Sequence, residues 1–163
     1  MFRPRTITAA VLAASFVAGG SALVAAPALA DDDLSHAQAT KARAAALKQV
    51  SGRVIQIDGD DDDRSRYEVT VLTKGGSARE VHLDSRYRVQ RTTRGDRDGL
   101  TYSTAGRASS AALKQVSGGI VVDIEVDSDD RSRYEVKLLT RSGSERDVHL
   151  DRSFRVVSSD DDD

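Results

Sequence analysis

The chain contains two copies of one unit, and this duplication constrains its fold more than any other feature. Ala45-Ala46-Leu47-Lys48-Gln49-Val50-Ser51-Gly52 recurs unchanged at residues 111–118, 66 positions further on. Asp63-Arg64-Ser65-Arg66-Tyr67-Glu68-Val69 recurs at 130–136 and Val81-His82-Leu83-Asp84 at 148–151, both 67 positions on. The offset grows by one, so a single residue was inserted between Gly118 and Arg131. A period of about sixty-five residues fits duplicated domains better than a solenoid.

Each unit begins with helical spacing and continues with strand alternation. Ser35 or Thr40 can cap a helix that turns Ala42, Ala46 and Val50 to one face, and Ala108, Ala112 and Val116 repeat the pattern. Ser51-Gly52 ends the first helix, glycine supplying the left-handed conformation after the last turn, and Gly118-Gly119 ends the second. Period two then takes over. Ile120, Val122, Ile124 and Val126 alternate with Val121, Asp123 and Glu125, matched by Val54 to Ile57 in the first copy. Tyr67, Val69 and Val71 form the next inward row, and Val81 with Leu83 the third. Their counterparts are Tyr134, Val136, Leu138, Val148 and Leu150. A short fourth strand carries Tyr87 and Val89, or Phe154 and Val156. Short polar or glycine-containing turns join them, so consecutive strands run antiparallel and leave one face for the helix. The expected fold is α+β: two tandem repeats, each one helix packed on a three- to four-stranded antiparallel meander.

The ends of the chain indicate its destination. Arg3 and Arg5 precede an apolar run from Ile7 to Val24, and Pro27 leads into Ala28-Leu29-Ala30, a small-x-small cleavage pattern. Residues 1–30 are therefore expected to be a signal peptide cut between Ala30 and Asp31, giving a secreted product with no membrane segment. The remaining divisions are repeat 1 over 31–90, an arginine-rich linker over 91–99, repeat 2 over 100–157 and an acidic tail over 158–163. The formal charge of −2 excludes a bulk nucleic-acid binder. The lack of cysteine excludes disulfides, thiolate metal sites and thiol nucleophiles.

A helix ending Ala-Leu-x-x-x-x-Gly, an alternating strand, an acidic tip, Arg-x-Tyr-Glu-Val, a glycine turn and Val-x-Leu-Asp resembles the PepSY domain. The residues carrying this resemblance are Leu47, Gly52, Tyr67, Val69 and Leu83, then Leu113, Gly118, Tyr134, Val136 and Leu150. One departure is visible. The family usually follows its aspartate with a glycine-containing turn, whereas Asp84-Ser85-Arg86-Tyr87 and Asp151-Arg152-Ser153-Phe154 contain no glycine. The resemblance implies a binding or regulatory module with no catalytic residues and no cofactor, and an exported partner such as a peptidase.

Residue by residue, the candidate sites are sparse. By alternation His82 points away from Val81 and Leu83 toward solvent, as does His149. A zinc site needs convergent ligands, and neither histidine has a second one at helix or hairpin spacing. The acidic tips offer Asp58, Asp60 and Asp62, with Asp127 and Asp129 in the second copy, as weak calcium ligands. The loop lacks the glycine at its sixth place and the glutamate at its twelfth, which are Asp63 and Val69. Arg86, Arg88, Arg91, Arg94 and Arg97 cluster at the junction, either to meet anionic envelope polymer or as a solvated linker. Two functions follow: an exported non-enzymatic module that modulates a secreted peptidase, or a structural envelope module that binds anionic polymer or divalent cations.

Overall fold

The computed structural model describes residues 34–59, 65–97, 99–127 and 132–162; the leader and its expected cleavage point at Ala30–Asp31 lie outside them. The element order is α1 (His36–Gln49), β1 (Arg53–Gly59), β2 (Tyr67–Leu72), β3 (Ala78–Leu83), β4 (Val89–Arg94), then α2 (Tyr102–Ala112), β5 (Ile120–Val126), β6 (Tyr134–Leu139), β7 (Glu145–Leu150) and β8 (Val156–Asp162). The fold is α+β, with a helix and an antiparallel meander in each repeat.

Both helices start with a reciprocal cap. Gln38 N–H donates to Ser35 Oγ at 3.3 Å while Ser35 N–H donates to the Gln38 side chain at 2.8 Å, so Ser35 rather than Thr40 is the cap. Thr101 and Thr104 do the same for α2. The buried faces are almost wholly alanine: Ala39, Ala42 and Ala46 on α1, Ala105, Ala108 and Ala112 on α2. Small side chains let the helix backbone approach the sheet closely.

All eight strands form one antiparallel sheet, ordered β4-β3-β2-β1-β5-β6-β7-β8. That order is symmetric about the junction of β1 with β5, where Gln56 lies opposite Asp123. The repeats are therefore joined edge to edge. They also share their cores. Ile120, Val122 and Leu139 of the second repeat pack in the cluster beneath α1. Ile55, Leu72 and Ala78 of the first pack beneath α2, together with Leu100.

A β-bulge in each inner strand makes this exchange possible. The β1–β2 register slips between Val54 and Gln56, leaving Ile55 extra, and the β5–β6 register slips between Val121 and Asp123, leaving Val122 extra. Each extra residue joins the other repeat's cluster. The expected unbroken alternation from Ile120 to Val126 is thereby corrected. Val121 and Ile124 serve the cluster under α2, and Ile120 with Val122 serve that under α1.

Four boundaries also differ from the sequence reading. Arg91–Arg94, assigned to a linker, continue β4, and residues 158–162, assigned to a tail, continue β8. Neither segment is apolar, but each needs only one neighbour to hydrogen-bond as an edge strand. The fourth strands start at Val89 and Val156, after Tyr87 and Phe154 rather than through them.

Those two aromatic residues lie in the turn that contains no glycine. Tyr87 has φ 59° and Phe154 φ 63°, the left-handed region that glycine adopts freely. The turn is tied by its aspartate. Asp84 Oδ1 accepts from the N–H groups of Arg86 and Arg88, and Asp151 repeats this with Ser153 and Arg155. These N–H bonds and the neighbouring arginine hold both carboxyls below the usual carboxylate range. The reward for the strained backbone is ring stacking: Tyr87 lies on Tyr67 at 5.0 Å between centroids and Phe154 on Tyr134 at 4.8 Å, both nearly parallel. The order of two substitutions is thus expected to invert. Tyr87→Ala loses the stack and keeps the strain, whereas Tyr87→Gly loses only the stack. Alanine should be the less stable variant by about 1 kcal/mol, and equal denaturant midpoints would show the turn is unstrained.

The junction of the repeats titrates. Burial, reinforced by the nearby Glu125 and Asp58 charges, pushes the Asp123 carboxyl up to about 7. The native state therefore binds this proton more tightly than the unfolded chain, and its stability falls as pH rises from the ordinary aspartate range through 7. The group is partly solvated, so about 1–2 kcal/mol is expected rather than the full shift. Asp123→Asn should raise the melting temperature at pH 8 and leave it unchanged near pH 4. A variant that stabilises equally at both values would rule out titration as the cause.

Candidate functional site

Two features recur in both repeats and carry the chemically capable side chains. The first lies on the strand faces that point away from the helices. His82 sits on β3 opposite Glu68 of β2 and Arg91 of β4. It was expected to face solvent, but it is only 2% exposed. Its direction is the expected one. Long side chains from both neighbouring strands close over it. Glu80 Oε1 lies 2.8 Å and Thr93 Oγ1 3.3 Å from Nε2, while Glu68 Oε2 lies 3.3 Å and Arg91 Nη2 3.2 Å from Nδ1. With its proton on Nε2, the ring donates to Glu80 and accepts from Arg91.

Thr93, His82 and Glu68 stand in the order of a nucleophile, base and orienting acid, but their geometry does not suit hydrolytic chemistry. Glu80 is nearer than Thr93 to the nitrogen that would take the proton. Arg91 beside Nδ1 opposes the imidazolium that a general base becomes. The Thr93 hydroxyl also donates to Glu80 at 3.3 Å. The ring has almost no surface on which to meet a substrate. The network is a polar clamp of partly exposed side chains closed over a buried histidine.

The second repeat holds the same constellation, altered. His149 lies opposite Glu135 of β6 and Ser158 of β8. Serine replaces Arg91 and Asp160 replaces Thr93, so the ring is uncovered and its side chain is 24% exposed. Glu135 Oε2 lies 3.8 Å from Nδ1 and Asp160 Oδ2 3.9 Å from Nε2. Asp127, from the acidic tip, is brought beside them. Its carboxylate, Glu135 and His149 each place one ligand atom within 4.8 Å of the others, as do Glu68, Glu80 and His82. The convergence that sequence spacing did not reveal is thus supplied by acids on neighbouring strands. Of the other calcium candidates, Asp58 is an exposed residue of β1, next to its last, and Asp60, Asp62 and Asp129 lie outside the described residues.

The second recurring feature is a groove between each helix and the aromatic turn. Lys41, Lys48 and Arg86 line the first with Tyr87; Arg53, Arg107 and Lys114 line the second with Tyr102 and Phe154. Arg107 stacks over the Phe154 ring at 4.2 Å and Lys41 over Tyr87 at 5.6 Å. Arg53, stacked on Tyr102 at 4.4 Å, lies where a Cβ on Gly106 would overlap it, and its buried Nε has no hydrogen-bond partner among the described residues. The five junction arginines do not gather into one patch. Arg86 lines the first groove, Arg88 pairs with Asp84, Arg91 covers His82, and Arg94 and Arg97 flank a polar hollow with Arg79.

The residues of the repeated motif are mostly core. Val69, Leu83, Val136 and Leu150 are fully buried, Tyr67 nearly so, and Leu47, Leu113 and Tyr134 border the clusters. The two glycines differ. Gly118 has φ 74°, as expected for a helix end, but Gly52 has no positive φ. A Cβ there would lie 2.5 Å from the Leu72 carbonyl oxygen and 2.6 Å from Val71 Cγ1, so Gly52 serves close approach and not backbone conformation.

The motifs and the repeat are matched by one family model, that of the peptidase propeptide and YPEB domain (PepSY), at residues 39–86 and again at 104–151. The chain belongs to the PepSY family. It is a tandem PepSY protein, the two matched segments covering more than half its length. Among solved structures, the signal-sequence-deleted Rv0603 protein of Mycobacterium tuberculosis, determined by NMR, is 33% identical over 42% of this chain and 86% of its own, with a TM-score of 0.34. The crystal structure of CD1622 from Clostridium difficile 630 is 16% identical over 82% of this chain and 97% of its own, with a TM-score of 0.33. No curated protein matches the chain significantly.

Proposed function

We propose that this PepSY protein is an exported, non-enzymatic binding module that engages a secreted peptidase through the open edge of its sheet. The observation that carries this reading is β4. All six of its residues, Val89 to Arg94, are exposed, and it ends the sheet with one side unpaired by any described strand. An extended segment of a partner can add to such an edge through main-chain hydrogen bonds. Peptidases hold polypeptide as extended strand, so the geometry suits one. Membership of the PepSY family supports the reading, as does the closed clamp around His82. Among the described residues no helix is long and apolar enough to cross a membrane.

Tagged chain recovered from culture medium should carry a stoichiometric peptidase, and added chain should lower that enzyme's rate on casein. Arg94→Glu, on the exposed edge, should weaken the complex about tenfold if the partner strand is acidic. Capture unaffected by any β4 substitution would remove the edge from the interface. The cationic grooves favour a second reading, retention on anionic envelope polymer. In that case the chain stays with cell-wall material, is released by salt, and loses retention in Arg53→Ala with Arg107→Ala rather than in Arg94→Glu.

A further inference from the structure

The comparison of the two histidine clusters within this one chain carries an inference independent of any peptidase. In the first repeat the cation is built in: the Arg91 guanidinium lies 3.2 Å from His82 Nδ1, beside the carboxylates of Glu68 and Glu80. In the second repeat the guanidinium's position belongs to Ser158 and a further acid, Asp160, is added at the Thr93 position. Asp127 joins from the β5–β6 connection, oriented by a hydrogen bond from Ser132 Oγ. The second cluster thus lacks the cation at Nδ1 that the first has, and carries an added carboxylate, Asp160, on the Nε2 side of the ring.

We propose that Asp127, Glu135 and His149 form a zinc site, with the metal standing where Arg91 stands in the first repeat. The three ligand atoms lie within 4.8 Å of one another and draw closer on binding. Ligands at about 2.0–2.2 Å in a tetrahedron are about 3.3–3.5 Å apart, and His149 Nδ1 lies 3.8 Å from Glu135 Oε2. Asp127 completes the three protein ligands and water takes the fourth place. Asp160, 3.9 Å from Nε2 on the other side of the ring, is placed to close on the remaining ring proton when the metal binds and so to fix which nitrogen faces it. An imidazole ligand selects zinc over calcium, which takes oxygen ligands.

Zinc binding to the full mature chain is measured by competition with a chromophoric chelator, alongside circular-dichroism melts. One equivalent should bind, unaffected by millimolar calcium. His149→Ala should abolish binding and His82→Ala leave it intact. Asp160→Ala should weaken it about tenfold. Ser158→Arg, which restores the first repeat's cation, should remove binding without lowering the melting temperature. The double change Arg91→Ser with Thr93→Asp removes that cation from the first repeat and should raise the stoichiometry above one. Absence of stoichiometric binding, full binding by His149→Ala or by Ser158→Arg, or loss shared with His82→Ala would each overturn the proposal.

Discussion

Residues 31–98 expressed without the second repeat should fail to fold cooperatively. The cluster beneath α1 includes Ile120, Val122 and Leu139, all buried and all contributed from beyond residue 98. A large aliphatic side chain contributes about 1.5–3 kcal/mol on burial, so losing three matches or exceeds the roughly 3–5 kcal/mol that a core of this size supplies. Truncation also bares the edge of β1, which pairs with β5 in the intact sheet. Residues 99–163 should fail for the mirrored reason, since Ile55, Leu72 and Ala78 leave the cluster beneath α2. Far-UV circular dichroism with heating decides the matter. A sigmoidal melt of either half within about 10 °C of the whole chain would mean that the repeats are independent beads.

Gly52→Ala is expected to cost about 3 kcal/mol, the upper range for overpacking a well-filled site. The added carbon meets the Leu72 carbonyl, which is held in the β1–β2 ladder and cannot yield without opening it. Gly118→Ala should cost only about 1–2 kcal/mol, the ordinary penalty for a left-handed backbone. Its nearest neighbour is the flexible end of Arg141, which can move aside. Urea denaturation of the two variants measures the difference. Equal losses would mean that both glycines are there for backbone conformation.

The contrast between these glycines shows what was legible in the sequence. The repeat, the helix followed by antiparallel strands, and the inward rows Tyr67-Val69-Val71 and Val81-Leu83 follow from local periodicity. Position within the sheet does not. Whether Ile55 or Val122 serves its own repeat depends on bulges that no local pattern marks. Whether Arg91–Arg94 is linker or strand depends on β3 being free to pair with it. The burial of His82 was readable in principle: once Leu72 pairs with Ala78 across the turn, counting along the ladder brings Glu68 opposite His82. What counting could not give was the cover from β4, because that strand's start depends on a turn in which an aromatic residue adopts a glycine's conformation. Asp127 reads locally as an acid in a tip, and its approach to His149 exists only once the strands are paired.

The symmetric strand order has a consequence for how this molecule can change. A lone repeat would end at β1 with an unsatisfied edge and an incomplete core, and two identical chains meeting there would form a homodimer with two identical faces. Fusing the copies replaces an encounter between molecules with a tether, at an effective concentration that no longer depends on expression level. It also frees each half from its twin. In a homodimer every substitution falls on both sides of the axis at once, so Arg91 and Ser158, Thr93 and Asp160, or Thr40 and Gly106 could not coexist at equivalent positions. Here they do, and one half can keep the conservative arrangement that holds the sheet together while the other is altered for a different task.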